Sequence, residues 1–204
     1  MAEYRASGEL SYRLRCLEKL GYRFGGHESL LDAGCGDGGV AGLLRERVRE
    51  VVAVDVQRLS SWRDEPGLSF LVADAERLPF DDGSFDVVHS KDSLHHMDRP
   101  ENAIGEYRRV LRAGGTALII EANRYNPAFF LHVTLALGHE HFTRNRFRAL
   151  VLGGFPNALF GAFEAHYAPP LARFPRFQYA VEEGLERLRP FEPLLSYNFA
   201  VATC

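Results

Sequence analysis

The strongest constraint on this 204-residue chain is an alternation: short apolar runs, each closed by a polar residue, separated by segments with helical spacing. The runs are SLLDAG (29–34), VVAVDV (51–56), LSFLVAD (68–74), FDVVHS (85–90) and TALIIEA (116–122), which read as strands. Between them, GVAGLLRERV (39–48) places Val40, Leu43, Leu44 and Val48 on one helical face. RPENAIGEYRRVLRAGG (99–115) has Pro100 in its first turn and a face of Ala103, Ile104, Tyr107, Val110 and Leu111. Arginines crowd its last turn, and Gly114-Gly115 is the expected stop. Strands that alternate with helices imply a parallel sheet covered on both faces. Ligands bind such sheets beyond the carboxyl ends of the strands. Here that edge carries Asp32, Asp55, Asp74, Ser90 and Glu121.

Residues 32–39, DAGCGDGG, satisfy the G-x-G-x-x-G pattern with Gly34, Gly36 and Gly39. A pyrophosphate is nevertheless a poor fit. Asp32 and Asp37 would face it, each at a cost of ~3 kcal/mol for like charges about 5 Å apart at an effective dielectric of ~20, and the loop holds no lysine or arginine. A cofactor without phosphate that bears an ammonium and a sulfonium, S-adenosylmethionine, turns the same carboxylate into an asset. Asp55 can accept from both hydroxyls of a ribose, which suits NAD equally well. Asp74 can accept from an adenine amino group, a third acid that a dinucleotide does not call for. Taken singly, each acid also reads as a turn or helix cap.

At these residues the chain resembles the class I S-adenosylmethionine-dependent methyltransferases, in the type 11 group that includes the ubiquinone/menaquinone methyltransferases. LLDAGCGDGG, VVAVDV, VADAERLPFDDGSFDVVHSKDSLHHM and RRVLRAGGTALIIE carry the resemblance in register over residues 28–122. It implies an α/β fold, a Rossmann-like open twisted sheet of about seven strands, mostly parallel with an antiparallel last strand and helices on both faces. It implies that Asp32, Gly34 and Gly36 line the methionine end of S-adenosylmethionine, with Ser90 beside that moiety. Asp55 takes the ribose, Val56 lies against the adenine, and Asp74 and Ala75 meet its edge.

The expected organisation is a single domain over 1–204, with an N-terminal helical segment (1–27), the cofactor core (28–122) and a substrate-side part (123–204). In the last part, 142–155 and 178–190 read as helices, and 157–168 and 194–204 as strands. The stretch 169–193 between those strands replaces the short hairpin common in the family. Methyl transfer from a sulfonium needs positioning more than a dedicated catalytic group, so the catalytic residue stays unassigned. His95 and His96 in SKDSLHHM are either the acceptor-side base or packing residues. Lys91 reads as a surface charge, and Cys35 as a small loop residue. Tyr4 and Tyr12 either cover the cofactor or pack a helix. GHEH (138–141) lacks a third ligand for a metal, and none is expected.

Composition narrows the partners. A net charge of −3 gives no electrostatic footprint for nucleic acid, and the chain lacks the [DN]-P-P-[YFW] motif of base-methylating enzymes. The longest apolar stretch, 128–137, falls short of the ~20 residues that span a bilayer. With no apolar signal-like core near residue 1 and three cysteines in no metal spacing, a cytoplasmic, reducing location is expected. A small-molecule or lipid-like acceptor fits best. The apolar 126–138 and the basic RNRFR (144–148) leave peripheral membrane contact open, and oligomeric state is not legible. Two alternatives remain: a non-catalytic module that keeps the S-adenosylmethionine site, and an NAD-dependent oxidoreductase.

Overall fold

A computed structural model describes residues 2–127, 130, 141–165 and 174–204. Helix α1 (Ala2–Glu18) leads into β1 (Ser29–Ala33), α2 (Gly39–Arg45), β2 (Glu50–Asp55), β3 (Leu68–Val72) and β4 (Phe85–Lys91). A 3-10 turn at Leu94–His96 precedes α3 (Pro100–Val110) and β5 (Leu111–Ala122). Then follow α4 (Arg144–Gly154), β6 (Leu159–Phe163), α5 (Pro175–Arg187) and β7 (Tyr197–Thr203). The seven strands form one sheet in the order β3-β2-β1-β4-β5-β7-β6. β1 to β5 pair in parallel, and β7 is antiparallel to both of its neighbours.

Burial follows strand position. Every residue of β1 is buried, as a central strand with helices on both sides requires, while the edge strand β3 leaves Leu71 and Val72 exposed. On one face Leu31, Val88, Ala117 and Ile119 pack with Ala103, Ile104 and Tyr107 of α3 and Phe147 and Val151 of α4. On the other, Leu30, Val87, Leu118 and Ile120 pack with Cys16 and Leu17 of α1, Ala41 and Leu44 of α2, and Trp62. Among the described residues no helix is long and apolar enough to cross a membrane.

Three boundaries differ from the sequence expectation. The helix over 99–115 ends at Val110, because Leu111 already pairs with Phe85 in the sheet. Gly114 and Gly115 therefore lie inside β5, where Gly114, at φ 80°, donates its N–H to Cys204 O. The strand over 157–168 is confined to Leu159–Phe163. Helix α5 begins at Pro175, ahead of the expected residue 178, and turns its polar side inward. Arg15 pairs with Glu182 at 3.2 Å, Gln178 donates to Glu182 at 2.9 Å, and Lys19 pairs with Glu186. Most of the apolar segment 126–138 and part of GHEH lie outside the described residues.

Trp62 supports the glycine turn after β1. It is 2% exposed, stacks on Phe70 with centroids 5.1 Å apart, and donates its indole N–H to Gly36 O at 2.7 Å. Trp62→Ala should therefore cost about 3–5 kcal/mol in urea denaturation. A loss below about 1 kcal/mol would mean the turn holds itself up without this prop.

Candidate active site

The chain leaves β1 through Gly34, Gly36 and Gly38, at φ 76°, 52° and 81°. At Gly34 a side chain is excluded twice over: its φ is left-handed, and a Cβ would fall 2.3 Å from Ser93 Cβ. At Gly36 a Cβ would meet nothing within 4 Å, so the backbone there borders open space. Asp55 ties the loop to the end of β2, its Oδ2 accepting from Gly36 N at 2.9 Å.

Two adjoining cavities flank this loop and share Gly34, Gly36 and Asp92 in their walls. The larger, about 580 Å³, is bordered by Asp55, Val56, Asp74, Ala75, Ser93, His96 and Met97. Val56, Ala73, Ala75 and Met97 give it an apolar wall with acids at both ends, a lining suited to a nucleoside. Asp74 also caps its own turn, Oδ1 accepting from Glu76 N at 2.8 Å, so the capping reading and the cavity-lining reading hold together. The smaller cavity, about 340 Å³, is lined by Asp32, His89, Tyr12, Arg13 and Lys91.

Asp32 is 2% exposed; Oδ1 bonds His89 Nδ1 at 2.7 Å, while Oδ2 has no partner. An unpaired buried carboxylate oxygen is costly, and a bound ammonium would supply the missing donor. Asp37 behaves otherwise. Arg13 of α1 binds both of its oxygens at 2.7 Å and holds its carboxyl below the usual range, chiefly through those hydrogen bonds. The expected repulsion between Asp37 and a pyrophosphate therefore falls away, and Asp32 alone carries that argument.

Ser90 and Lys91 stand in surroundings that their local sequence does not show. Ser90 is fully buried and lines neither cavity; its hydroxyl bonds Ser93 Oγ at 2.7 Å and accepts from Tyr107 at 3.2 Å. Lys91 is not a surface charge. Its ammonium pairs with Asp92, donates to Tyr12 and Tyr197 hydroxyls at 3.2 and 3.4 Å, and lies 4.7 Å from the Tyr197 ring centroid. Burial opposes that charge, but Asp92 outweighs it and keeps the Lys91 pKa above the ordinary lysine value. Asp92 itself sits at φ 51°, bonded to Ala122 N at 3.1 Å and to Tyr197 OH at 3.2 Å. Tyr12 thus reaches the site from α1, and its hydroxyl bonds that of Tyr197. The Tyr4 side chain lies outside what is described.

Behind His96 stands a carboxylate–imidazole pair. Glu121, fully buried near the end of β5, accepts from Ser93 N (3.0 Å) and Leu94 N (2.7 Å) through Oε1, and meets His95 Nδ1 through Oε2 at 2.7 Å. Burial pushes the Glu121 carboxyl up. It also opposes a charged His95, but the Glu121 hydrogen bond and charge overcome it and raise the ring's pKa. The His95 ring lies 4.0 Å from that of His96 and 4.5 Å from that of His141. Among the described residues no group of three metal-type ligands forms.

Comparison with known proteins agrees with this geometry. Residues 31–119 match the family model described as a methyltransferase domain. The ubiquinone/menaquinone biosynthesis C-methyltransferase UbiE of Stenotrophomonas maltophilia is 34% identical over 122 residues, covering 52% of this chain and 48% of that protein. The malonyl-[acyl-carrier protein] O-methyltransferase of Enterobacter lignolyticus is 37% identical over 89 residues, covering 42% of this chain and 36% of that one. This chain spans half or less of the length of such relatives. For the fold, a SAM-dependent methyltransferase from Archaeoglobus fulgidus superposes with a TM-score of 0.69 at 18% identity, covering 99% of this chain and 96% of that one. The likeness to a methyltransferase domain therefore rests on residues 31–119, the stretch from β1 into β5 that carries the glycine loop and the acids.

Proposed function

We propose that this chain transfers a methyl group from S-adenosylmethionine to a small-molecule or lipid-like acceptor that gives up a proton, with His95 as the base. The observation that carries the reading is the placement of Asp32, Asp55 and Asp74 around one glycine loop, with the Glu121–His95 pair one ring behind the cavity wall. Asp32 Oδ2 suits the amino group of the methionine moiety, Asp55 the ribose hydroxyls, and Asp74 the adenine edge against Val56 and Ala75. The cofactor supplies an electrophilic methyl on its sulfonium.

This chain's own residues do the rest. Glu121 binds His95 Nδ1, which in the neutral ring makes Nδ1 the protonated nitrogen and Nε2 the basic one. It then stabilises the imidazolium that forms when a proton arrives. The backbone amides of Ser93 and Leu94 hold Glu121 in place, so the base rests on the end of β5 and not on a free loop. His96 lines the larger cavity, with its ring 4.0 Å from that of His95.

Isothermal titration with S-adenosylmethionine, S-adenosylhomocysteine and NAD tests the cofactor. The sulfur nucleosides should bind and NAD should not. Asp55→Ala should weaken that binding about 10- to 100-fold, the worth of charge-assisted hydrogen bonds. A preference for NAD would sink the reading.

His95 gives a second test. A ring whose pKa is raised on folding adds stability that is complete below its ordinary value of 6.5 and disappears as the pH climbs through the raised value. The gap in thermal stability between the native protein and His95→Gln should shrink steadily from pH 6 to pH 9. A gap that stays constant would show that the ring holds no extra proton.

A further inference from the structure

His89 of β4 is 1% exposed, yet its Nε2 is buried without a hydrogen-bond partner, and so is Oδ2 of the neighbouring Asp32. The two residues stand opposite each other in the parallel pairing of β1 with β4, and Asp32 Oδ1 meets His89 Nδ1 at 2.7 Å. A buried polar atom left unpaired is costly. Val87, two residues earlier on the same face, packs in the apolar core with Leu118, the β5 neighbour of His89. A valine at position 89 would extend that core without the cost. The imidazole needs another explanation.

The smaller cavity supplies one. His89 and Asp32 both line this space of about 340 Å³, which shares Gly34, Gly36 and Asp92 with the larger cavity. The other charged groups in its wall are already paired, Arg13 with Glu9 and Asp37, and Lys91 with Asp92. Tyr12 and Cys16 of α1 and Cys35 of the glycine loop stay neutral, because burial holds each above its ordinary pKa. Four carboxylates therefore face two bases, and the wall is negative, which suits a cation. In the neutral ring Asp32 keeps the proton on Nδ1 and leaves Nε2 as an acceptor. Asp32 Oδ2 and His89 Nε2 are then two unused acceptors in one wall, and an ammonium carries three donors.

We propose that His89 binds the cofactor's ammonium together with Asp32, and that a proton competes with the cofactor for this pair. Protonation of the ring places a hydrogen on Nε2, turns that acceptor into a donor and offsets the Asp32 charge. The ammonium then meets a neutral pair with one acceptor in place of an anionic pair with two. Cofactor affinity is thereby tied to pH over the range in which imidazoles titrate, about pH 5 to 8. His96 is the other imidazole at the two cavities, and it lines the larger one. The inference rests on the methyltransferase reading above and adds to it a binding residue and a means of regulation.

The test titrates the full chain, between pH 8 and pH 5.5, with S-adenosylhomocysteine and with its analogue in which hydrogen replaces the amino group. The native protein should bind S-adenosylhomocysteine about ten times more tightly at pH 8 than at pH 5.5, while the analogue changes less than twofold. His89→Asn retains an N–H donor for Asp32 but has no counterpart of Nε2. It should weaken S-adenosylhomocysteine about tenfold at pH 8 and flatten its pH profile, with the analogue unaffected. Native binding of S-adenosylhomocysteine that ignores pH would overturn the proposal whether or not the variant folds, leaving Nε2 to a structural water and the cofactor reading intact. An equal loss in acid for both ligands would overturn it too, since that places the titrating group at the nucleoside, beside His96. So would a pH slope that survives in His89→Asn. Failure of both ligands to bind at any pH would sink the methyltransferase reading and this inference together.

Discussion

The backbone path through Gly34, Gly36 and Gly38 is the constraint on which the site depends. Three left-handed residues in five turn the chain sharply from β1 into α2 and expose amides where side chains would otherwise stand. That path is held from outside. Asp55 takes the Gly36 N–H, Trp62 donates to the Gly36 carbonyl, and Arg13 grips Asp37. Ser93 closes against Gly34 so tightly that no methyl group fits between them. The loop after β4 and the loop after β1 therefore share a boundary, and the position of one sets the position of the other.

Most polar groups at this edge carry a structural load alongside any chemical one. Asp55 closes the glycine turn, Asp74 caps its own turn, and Glu121 gathers two backbone amides as well as an imidazole. This economy means that removing a carboxylate here disturbs the scaffold and the site together. Asp32 and Asn198 depart from the pattern. Each is buried and leaves polar atoms without a partner, as does His89, whose Nε2 is unpaired beside Asp32.

The strand ends were legible in the sequence because each acid follows its own apolar run, a local signal. The seven strands and the antiparallel β7 were what the family resemblance implied, and the sheet has both. What escaped was fixed by contacts between residues far apart. Arg13 meets Asp37 across 24 positions, and Tyr12 meets Tyr197 across 185. Lys91 looked like a surface charge because nothing nearby in sequence shows two tyrosines closing over it. Ser90 is buried, its hydroxyl bonded to Tyr107 of α3 and to Ser93, which lines the larger cavity. The end of α3 was misplaced because two glycines resembled a helix stop, whereas pairing of Leu111 with Phe85 had already claimed the chain for the sheet.

The insertion of β7 between β5 and β6 has a consequence for the order in which the molecule can be made. β6 touches the sheet only through β7, so it has no edge to join until residues up to Thr203 have left the ribosome. Strands β1 to β5 form pairings available by residue 122 and can assemble during synthesis. The last two strands wait, with the outer edge of β5 unpaired in the meantime. A nascent chain would thus complete the parallel part of its sheet first and its antiparallel edge last.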